Sequence, residues 1–495
     1  MLVLLLILLP VVFVLFNLLL DEKQAKNISL AGSLTTLVAG LYAFYQFSIH
    51  PSCSCFVYHT DWIRGLGADF YIKADGINII LVLLTVLLVP FIIQSAHGRE
   101  IKNPKSYFSL ILIMQSALLG VFLSKDALLF YVFWELALIP IYLICLIFGG
   151  DGRQRITFKF FIFTLFGSLF MLLAIIFLWL HNPLRTFSIY DFYKVSLLLT
   201  AQQQLFVFMA FYLAFAIKIP IFPLHTWQPD TYVNAPTQGT MLLSGIMLKM
   251  GAFALIIWLI PIVPLGWQLA SKYVILLSVI SVVYGSLMAV AQHNFKRMLA
   301  YSSLGHVGLI AAGIFSWNLQ GVQGALYQML SHGINVVALF FICDIIFNRM
   351  KTDTMQKLGG IRNVSRIFSV LFLIALLGSV AMPLTNGFVG EFLLIHGVFQ
   401  YNTVMAVFAG LTVILGALYM LRAYQHMMHG ETNILTETFG EITLNEKVLL
   451  LCFAGLIIFF GIFPNTILHV SEEPVKQLIE QVHNATTMTV KHSNF

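Results

Sequence analysis

The fold is decided by residues 206–227, which read FVFMAFYLAFAIKIPIFPLHTW. The residues before Lys218 are apolar, as in a membrane helix, yet a charged side chain near mid-bilayer costs at least about 2.5–3.5 kcal/mol. Pro220 and Pro223 follow at once, and because proline has no backbone N–H to donate, we predict that the helix breaks just after Lys218. Non-helical backbone is tolerated at membrane depth only where it is buried in protein or faces water. Lys218 is therefore a candidate functional residue.

A second stretch repeats this combination of a helix breaker and a charge. Residues 381–399 read AMPLTNGFVGEFLLIHGVF, with Pro383 and Gly387 just before Glu391. Isolated prolines in membrane helices often mean only a kink. A break beside a charge that occurs twice is more specific, and it makes Glu391 a second candidate.

The composition places the whole chain in a membrane. Of its 495 residues, 59% are hydrophobic and 10% are charged, and the mean hydropathy is +0.91. A soluble domain has about 45–50% apolar and about 25% charged residues. So few charges cannot coat the surface of a soluble protein, which excludes a soluble enzyme, a nucleic-acid-binding protein and a disordered chain.

The apolar segments predict an all-α polytopic membrane protein with about fourteen transmembrane helices. A spanning helix needs about 20 mainly apolar residues. The first segment has no basic start or cleavage site, so we expect a retained helix rather than a signal peptide. The segments are approximately 2–20, 28–48, 76–97, 107–124, 126–148, 157–180, 203–224, 236–259, 272–292, 298–316, 320–347, 366–400, 402–428 and 446–466.

The two predicted breaks fall in segments seven and twelve, which are five segments apart. A unit with an odd number of crossings is inserted upside down in its second copy, as in secondary transporters with broken helices. We therefore predict N-terminal helices 1–3 in residues 1–100, a first five-helix repeat in 105–260 and an inverted second repeat in 268–430. Helix 14 and a polar tail occupy 445–495.

The distribution of lysine and arginine predicts the orientation. Loops after odd-numbered segments hold seventeen of the 27 lysines and arginines, and the opposite side holds eight. The richer side is predicted to be cytoplasmic, with both termini outside. The remaining two, Lys218 and Lys249, lie inside predicted spans.

Further ionisable residues interrupt the apolar segments. Glu135 lies in residues 126–148, DALLFYVFWELALIPIYLICLIF, and Lys249 has at least seven uncharged residues on each side. Three histidines are weaker candidates for functional residues, namely His225, His306 and His332. A glutamate and a lysine could pair simply to hold two helices together, and a lone buried histidine is often a packing residue. Four such charges with interleaved histidines favour a functional interpretation.

Glutamate, lysine and histidine can each gain and lose a proton, and no substrate-sized polar cluster is evident. We hypothesise that Glu135 stabilises protonated Lys218 and that their separation drives the proton onward. Lys249, His332 and Glu391 are the next predicted stations, bridged by water, with Glu391 nearest the exit. His225 and His306 are predicted to assist.

The same residues carry a resemblance to the antiporter-like membrane subunits of respiratory complex I. It rests on residues 134–142 (WELALIPIY), 218–255 (KIPIFPLHTWQPDTYVNAPTQGTMLLSGIMLKMGAFAL) and 295–309 (FKRMLAYSSLGHVGL). Residues 61–78 (DWIRGLGADFYIKADGIN), 332–349 (HGINVVALFFICDIIFNR) and 387–392 (GFVGEF) resemble the branch called chain M in bacterial NADH–quinone oxidoreductase and chain 4 in mitochondria. The likeness covers roughly residues 55–430.

The resemblance implies fourteen helices, two inverted five-helix repeats and a charged, hydrated axis in the membrane plane. It implies that Glu135 is the essential helix-five glutamate, Lys218 the lysine of broken helix seven and Lys249 the helix-eight lysine. Glu391 matches the acid of broken helix twelve, and because chains L and N usually have lysine there, it favours the M branch. Proton pumping would be driven by quinone reduction elsewhere in the complex.

The implied partners are other membrane subunits, above all the L-like and N-like antiporter subunits, in a bacterial inner membrane. Flavin, iron–sulfur clusters and quinone are expected in partner subunits, and no cofactor or metal in this chain, which shows no G-x-G-x-x-G after a strand and no clustered cysteines. The alternatives are a subunit of a multisubunit sodium/proton antiporter, a relative of complex I with another electron donor, and a purely structural scaffold. The Cys53–Cys55 loop and the tail after Glu472 are assigned no role.

Overall fold

A computed structural model describes residues 1–493 as a bundle of helices with one β-hairpin. The hairpin consists of antiparallel strands β1 (Val57–Ile63) and β2 (Ala68–Lys73). The helices are α1 (Leu2–Leu19), α2 (Ala25–Ile49), α3 (Asn78–Ser95), α4 (Pro104–Leu123), α5 (Ala127–Phe148), α6 (Arg153–His181), α7 (Ile189–Val195), α8 (Ala201–Lys218), α9 (Gln228–Asn234), α10 (Thr237–Leu259), α11 (Pro264–Val290), α12 (Phe295–Ser316), α13 (Leu319–Met350), α14 (Ile361–Val364), α15 (Arg366–Ser379), α16 (Asn386–Tyr401), α17 (Thr403–Met428), α18 (Leu444–Ile462) and α19 (Asn465–Ser493).

Both predicted helix breaks are confirmed. Helix α8 ends at Lys218, the residue after which the two prolines predict a break. The freed backbone is satisfied within the protein, since the Phe222 N–H donates to Ser281 Oγ at 2.7 Å. The second break lies between Ser379, where α15 ends, and Asn386, where α16 begins. The charged residues Lys218 and Glu391 thus lie beside non-helical backbone, as predicted.

By a strict criterion of helix length and hydropathy, the structure contains fewer spanning helices than the sequence predicts. Twelve helices of the described residues are long and apolar enough to cross a membrane. The two predicted spans outside this set are the seventh and the twelfth. The seventh carries three glutamines at its start, and the twelfth is divided into α15 and α16 by its break. The shortfall therefore reflects the polar start of the seventh span and the break within the twelfth.

Helix α10 deviates from regular helical geometry on both sides of Lys249. Residues Leu243–Met247 and Leu255–Leu259 form π-helical turns. Such turns are rare and occur frequently at functional sites. A π-turn leaves backbone carbonyls without their usual partners, and here one of them, that of Ser244, accepts a hydrogen bond from Lys249 Nζ. Neither turn contains a proline or a charged residue, and neither was predicted from the sequence.

The innermost helices are those that carry the candidate residues. In the 18-residue apolar stretches of α10 and α12 all residues are buried, and in that of α13 94% are. In the corresponding stretches of α1, α2, α17 and α18 only 33% of the residues are buried. The outer helices shield the centre from lipid. Lys249, His306 and His332 therefore lie in the protein interior rather than against the bilayer.

The two ends of the bundle differ. One end, called the basic end here, is formed by turns and helix starts that carry Arg99, Lys102, Arg153 and Lys296. The opposite end carries the β-hairpin and α19. The predicted polar tail is helical throughout its described part. Its helix, α19, packs so closely against Gly76 that the carbonyl of Val470 leaves no space for a Cβ at that residue. Residues 494–495 lie outside the described part of the predicted C-terminal segment.

Candidate functional site

Lys249 and His332 form the best-connected pair of the predicted residues. Lys249 lies on α10 and is 1% exposed, and His332 lies on α13 and is 5% exposed. Lys249 Nζ is 2.9 Å from His332 Nδ1 and also donates to the carbonyl of Ser244. A donor and an acceptor at this distance can exchange a proton directly. The π-turn before Lys249 supplies the second acceptor.

His306 and Glu391 form a second close pair, on α12 and α16. His306 Nδ1 lies 2.9 Å from Glu391 Oε1, although the angle is not that of a hydrogen bond. Gln328 Nε2 donates to the same carboxylate oxygen at 3.4 Å. The His306 and His332 rings are 5.7 Å apart between centroids. The four residues therefore form a row, Lys249–His332–His306–Glu391, here called the central row.

The central row is surrounded by buried polar atoms that have no protein partner among the described residues. They include His332 Nε2, His306 Nε2, Glu391 Oε2, Gln328 Oε1, Asn335 Oδ1, Ser303 Oγ and both side-chain polar atoms of Asn386. Buried polar atoms are nearly always hydrogen-bonded to protein or to ordered water. A cavity of about 10 Å³ lined by His306, His332, Asn335 and Ser303 lies among them, which is about the space that one water needs. The surroundings of the central row thus suit bound water.

Lys218 and Glu135 are not brought into contact. No ion pair within 4.0 Å joins them among the described residues, and Lys218 Nζ has no hydrogen-bond partner there. The ammonium instead lies 5.2 Å from the centroid of the Trp134 ring. The residue that faces Lys218 is therefore the neighbour of Glu135 in the sequence. We call Glu135, Trp134 and Lys218 the Lys218 group.

Gly251 brings the Lys218 group close to the central row. A Cβ at Gly251 would lie 2.6 Å from Ile219 Cγ1 and 3.2 Å from Lys218 Cβ. Helices α8 and α10 can approach this closely because residue 251 has no side chain. Lys249 lies two residues before this contact, so the backbones that carry the two lysines touch.

His225 is placed apart from the central row. Its ring lies 4.9 Å from that of Tyr284 and 5.6 Å from that of Phe222, and its Nδ1 is buried without a protein partner among the described residues. It follows the break after Lys218. Among the described residues, no hydrogen bond, ion pair or ring contact joins His225 to another predicted residue.

Several polar residues of the site were not predicted. Gln328, Ser331 and Asn335 lie on α13 at positions −4, −1 and +3 from His332. Because residues three and four apart share a helix face, Gln328 and Asn335 could have been found from their spacing. Ser302 lies four residues before His306 on α12 and has the same signal, whereas its partner Tyr419, 2.8 Å away between hydroxyls, reaches the site from α17, and Asn386 lies five residues before Glu391, off the three- and four-residue spacing.

Three charged residues at the opposite end fix the start of α5. Lys125 Nζ lies 2.5 Å from Asp75 Oδ2. Burial raises the pKa of the Asp75 carboxyl, but the Lys125 ammonium lowers it by more, so that this pKa lies below its ordinary value. Asp126 accepts hydrogen bonds from the N–H groups of Leu128 and Leu129 and from that of Asp69 in the hairpin. Burial raises the pKa of Asp126 to about 6. The hairpin is thus tied to the helix that carries Glu135.

Comparisons with known proteins agree on one family. The model of the family described as NADH:quinone oxidoreductase/Mrp antiporter, TM, matches residues 124–418. Over 480 residues the chain is 38% identical to NADH-quinone oxidoreductase subunit M of Rickettsia prowazekii (strain Madrid E), which covers 96% of this chain and 97% of that protein. It is 34% identical to NADH-ubiquinone oxidoreductase chain 4 of Marchantia polymorpha over 481 residues, 96% of each. A chain in the structure "Respiratory complex I from Thermus thermophilus with bound NADH" superposes with a TM-score of 0.87 and 31% identity, covering 97% of this chain and 100% of that one.

Proposed function

This chain belongs to the NADH:quinone oxidoreductase/Mrp antiporter transmembrane family, and from that premise we propose how its buried charges move protons. The predicted resemblance is confirmed. The chain is a proton-translocating membrane subunit of NADH–quinone oxidoreductase, of the type called M in bacteria and chain 4 in mitochondria. The multisubunit sodium/proton antiporter is the less well supported alternative.

The observation that carries the proposed route is the central row. Lys249 in its ammonium form donates a proton to His332 Nδ1, 2.9 Å away, and becomes a neutral amine. His332 passes a proton from Nε2 toward His306 through water, since the two rings are too far apart for direct transfer. His306 delivers it to Glu391, whose carboxylate lies 2.9 Å from Nδ1 and becomes neutral. Glu391 is reset when it releases the proton, Lys249 is reset when it receives a new one, and each imidazole is reset when its remaining proton returns to the first nitrogen.

Lys218 is proposed to reload Lys249. Its ammonium has no hydrogen-bond partner among the described residues and is held by the face of the Trp134 ring. A cation held without hydrogen bonds can move its proton without first breaking an ion pair. Glu135 acts at longer range, where its charge favours the cationic form of Lys218. His225 is proposed to accept or supply water beside the break that follows Lys218.

The setting of the subunit is part of the proposal. We propose that this chain holds no redox cofactor, and that flavin, iron–sulfur clusters and quinone belong to partner subunits whose electron transfer drives the pump. The L-like and N-like antiporter subunits are the proposed neighbours in a bacterial inner membrane. The excess of lysine and arginine at the basic end supports a cytoplasmic position for that end, with both termini outside.

The test uses the complete complex in proteoliposomes, with NADH oxidation and proton uptake measured together. Lys218→Ala and Lys249→Ala are each expected to lower proton uptake per NADH oxidised, because each removes a carrier that no neighbour replaces. Lys296→Ala is the matched control, since this lysine donates to the carbonyls of Val233 and Ala235 at the basic end and lies off the route. Undiminished uptake per NADH in both test variants contradicts the route.

A sodium/proton antiporter subunit would give a different result in the same vesicles. The family description covers both kinds of protein. Migration of the chain on a native gel within a large band that oxidises NADH supports the complex I assignment. Migration with other membrane subunits alone, together with sodium-dependent proton flux, supports the antiporter.

A further inference from the structure

A cavity at the basic end lies outside the proposed proton route. It has a volume of about 470 Å³ and opens between the ends of α3, α5 and α13 and the starts of α4, α6 and α10. Its lining includes Arg99, Lys102 and Arg153 as well as Asp344, Thr237 and Glu100. Three cations around one opening at the surface of a membrane bundle indicate a ligand with negative charge.

The buried acid of this cavity is already neutralised. Arg99 Nη2 lies 2.8 Å from Asp344 Oδ2, and Thr237 Oγ1 donates to Asp344 Oδ1 at 2.6 Å. Arg99 Nε is buried and has no hydrogen-bond partner among the described residues. Both oxygens of Asp344 are therefore engaged, while Arg99 retains an unused donor.

Lys102 and Arg153 are the cations that are free to bind a ligand. Both side chains are exposed, and neither forms an ion pair within the part of the chain that the structure describes. Arg153 Nη1 makes one hydrogen bond at 3.2 Å, to the carbonyl of Gly149. Glu100 is exposed at the rim and offsets one of the charges. The net charge of the residues that line the cavity is positive once Arg99 and Asp344 are counted as a neutral pair.

Two helix starts add to this positive balance. Helix α6 begins at Arg153 and α10 begins at Thr237, and both residues line the cavity. Neither helix has a side-chain cap at its start. The Arg153 N–H donates to the carbonyl of Gly150 at 3.3 Å, so the N–H groups that remain for a ligand are the next ones of α6 and the first ones of α10. Free N–H groups and the positive end of the helix dipole favour phosphate and other anions.

The cavity also has an apolar side that reaches the bundle surface. Ile147 lines it and is 45% exposed, and Phe148 lies next to Ile147 on the cavity wall. A free phosphate gains no stabilisation from an apolar wall, whereas an acyl chain can pack against it and bury apolar surface. Basic pockets between membrane helices on the cytoplasmic side are typical binding sites of anionic headgroups. We propose that this cavity binds the phosphate group of an anionic phospholipid through Lys102, Arg153 and the two helix starts.

The experiment uses the intact complex in nanodiscs of dioleoyl phosphatidylcholine with a trace of phosphatidylglycerol that carries a diazirine in one acyl chain. Irradiation is expected to label the peptides around Ile147, and unlabelled phosphatidylglycerol competes for this label. At about 1 kcal/mol for each basic residue, the competing affinity should fall about 30-fold in the Lys102→Ala/Arg153→Ala double variant. The Lys23→Ala/Arg362→Ala variant is the matched control, because it also removes two exposed charges from the basic end.

The outcomes separate the two sources of phosphate. Labelling that is lost in the test variant and kept in the control supports the lipid. If labelling equals that of a phosphatidylcholine analogue, but equilibrium dialysis finds saturable binding of inorganic phosphate that the test variant lacks, the lipid is wrong and the ligand is free phosphate. If neither probe distinguishes the test variant from the control in assembled complex, the proposal of a phosphate site is overturned.

Discussion

The central row and the Lys218 group hold their lysines in opposite ways. Lys249 contacts a histidine nitrogen at 2.9 Å and a backbone carbonyl, so its proton has an acceptor in place. Lys218 has no hydrogen-bond partner among the described residues and lies 5.2 Å from the centroid of the Trp134 ring. The difference teaches that one lysine belongs to a connected path while the other is held in isolation. Transfer from Lys218 therefore needs a movement or a water that transfer from Lys249 does not.

The largest effect is expected where the connected path ends. Glu391→Gln keeps the size of the side chain and its contact with Gln328 but cannot accept a proton from His306. Because a positioned acid or base typically contributes about 10²–10⁴-fold to a rate, NADH-driven proton uptake should fall at least about 100-fold. Glu391→Asp, which retains a carboxylate, is expected to recover part of this loss in the same proteoliposome assay. Equal activity of the Gln and Asp variants would show that the path does not end at Glu391.

A smaller effect is expected in the Lys218 group. Trp134→Leu removes the aromatic face below the Lys218 ammonium, and a desolvated cation–π contact is worth about 2 kcal/mol. Proton uptake should therefore fall about 30-fold, whereas Trp134→Phe, which keeps an aromatic face, should retain most of it. Native gels of each variant show whether the complex has assembled.

The two Trp134 variants also separate packing from charge. Trp134 is 3% exposed and packs against Phe215, so its loss also leaves a cavity. A purely structural role predicts that the Leu and Phe variants lower the melting temperature and the proton uptake in the same proportion. Uptake that falls in the Leu variant alone, at equal assembly, favours the role in holding Lys218.

The breaks of the helices could be predicted from sequence because their cause is local. Pro220 lacks an N–H wherever it stands, and α8 ends at Lys218 as that requires. The contact between His306 and Glu391 joins residues on α12 and α16, and one sequence does not reveal which helix faces lie together. For the same reason the sequence suggested Glu135 as the partner of Lys218, while packing places the neighbouring Trp134 there.

The C-terminal helix shows a signal that was present and not used. Residues 467, 471, 475, 478 and 482 are buried along α19, at the three- and four-residue spacing of an amphipathic helix. The charged residues between them give the segment the composition of a polar tail. Periodicity was the better guide here, because burial of one face depends on spacing and not on mean polarity.

The smallest effect is expected at the opposite end, where Asp126 holds the start of the helix that carries Glu135. Burial raises the pKa of Asp126 to about 6. A carboxyl with a raised folded-state pKa stabilises the fold most at low pH, and this contribution is lost as the pH rises toward about 6. Between about pH 4 and pH 6 the stability advantage of the native complex over Asp126→Asn should therefore shrink, by on the order of 1 kcal/mol.

Thermal unfolding of the assembled complex at several pH values measures this difference. Glu100→Gln is a suitable control, since Glu100 is exposed at the basic end and accepts no hydrogen bond from a helix start in the described residues. If proton uptake of Asp126→Asn is unchanged while its stability profile flattens, Asp126 anchors α5 without taking part in transfer. The Lys218 group would then be fixed from outside the membrane, whereas the central row is held by its own contacts. A flat difference between the native complex and the variant would mean that Asp126 keeps an ordinary pKa, and the anchoring of α5 would then rest on the Lys125–Asp75 pair.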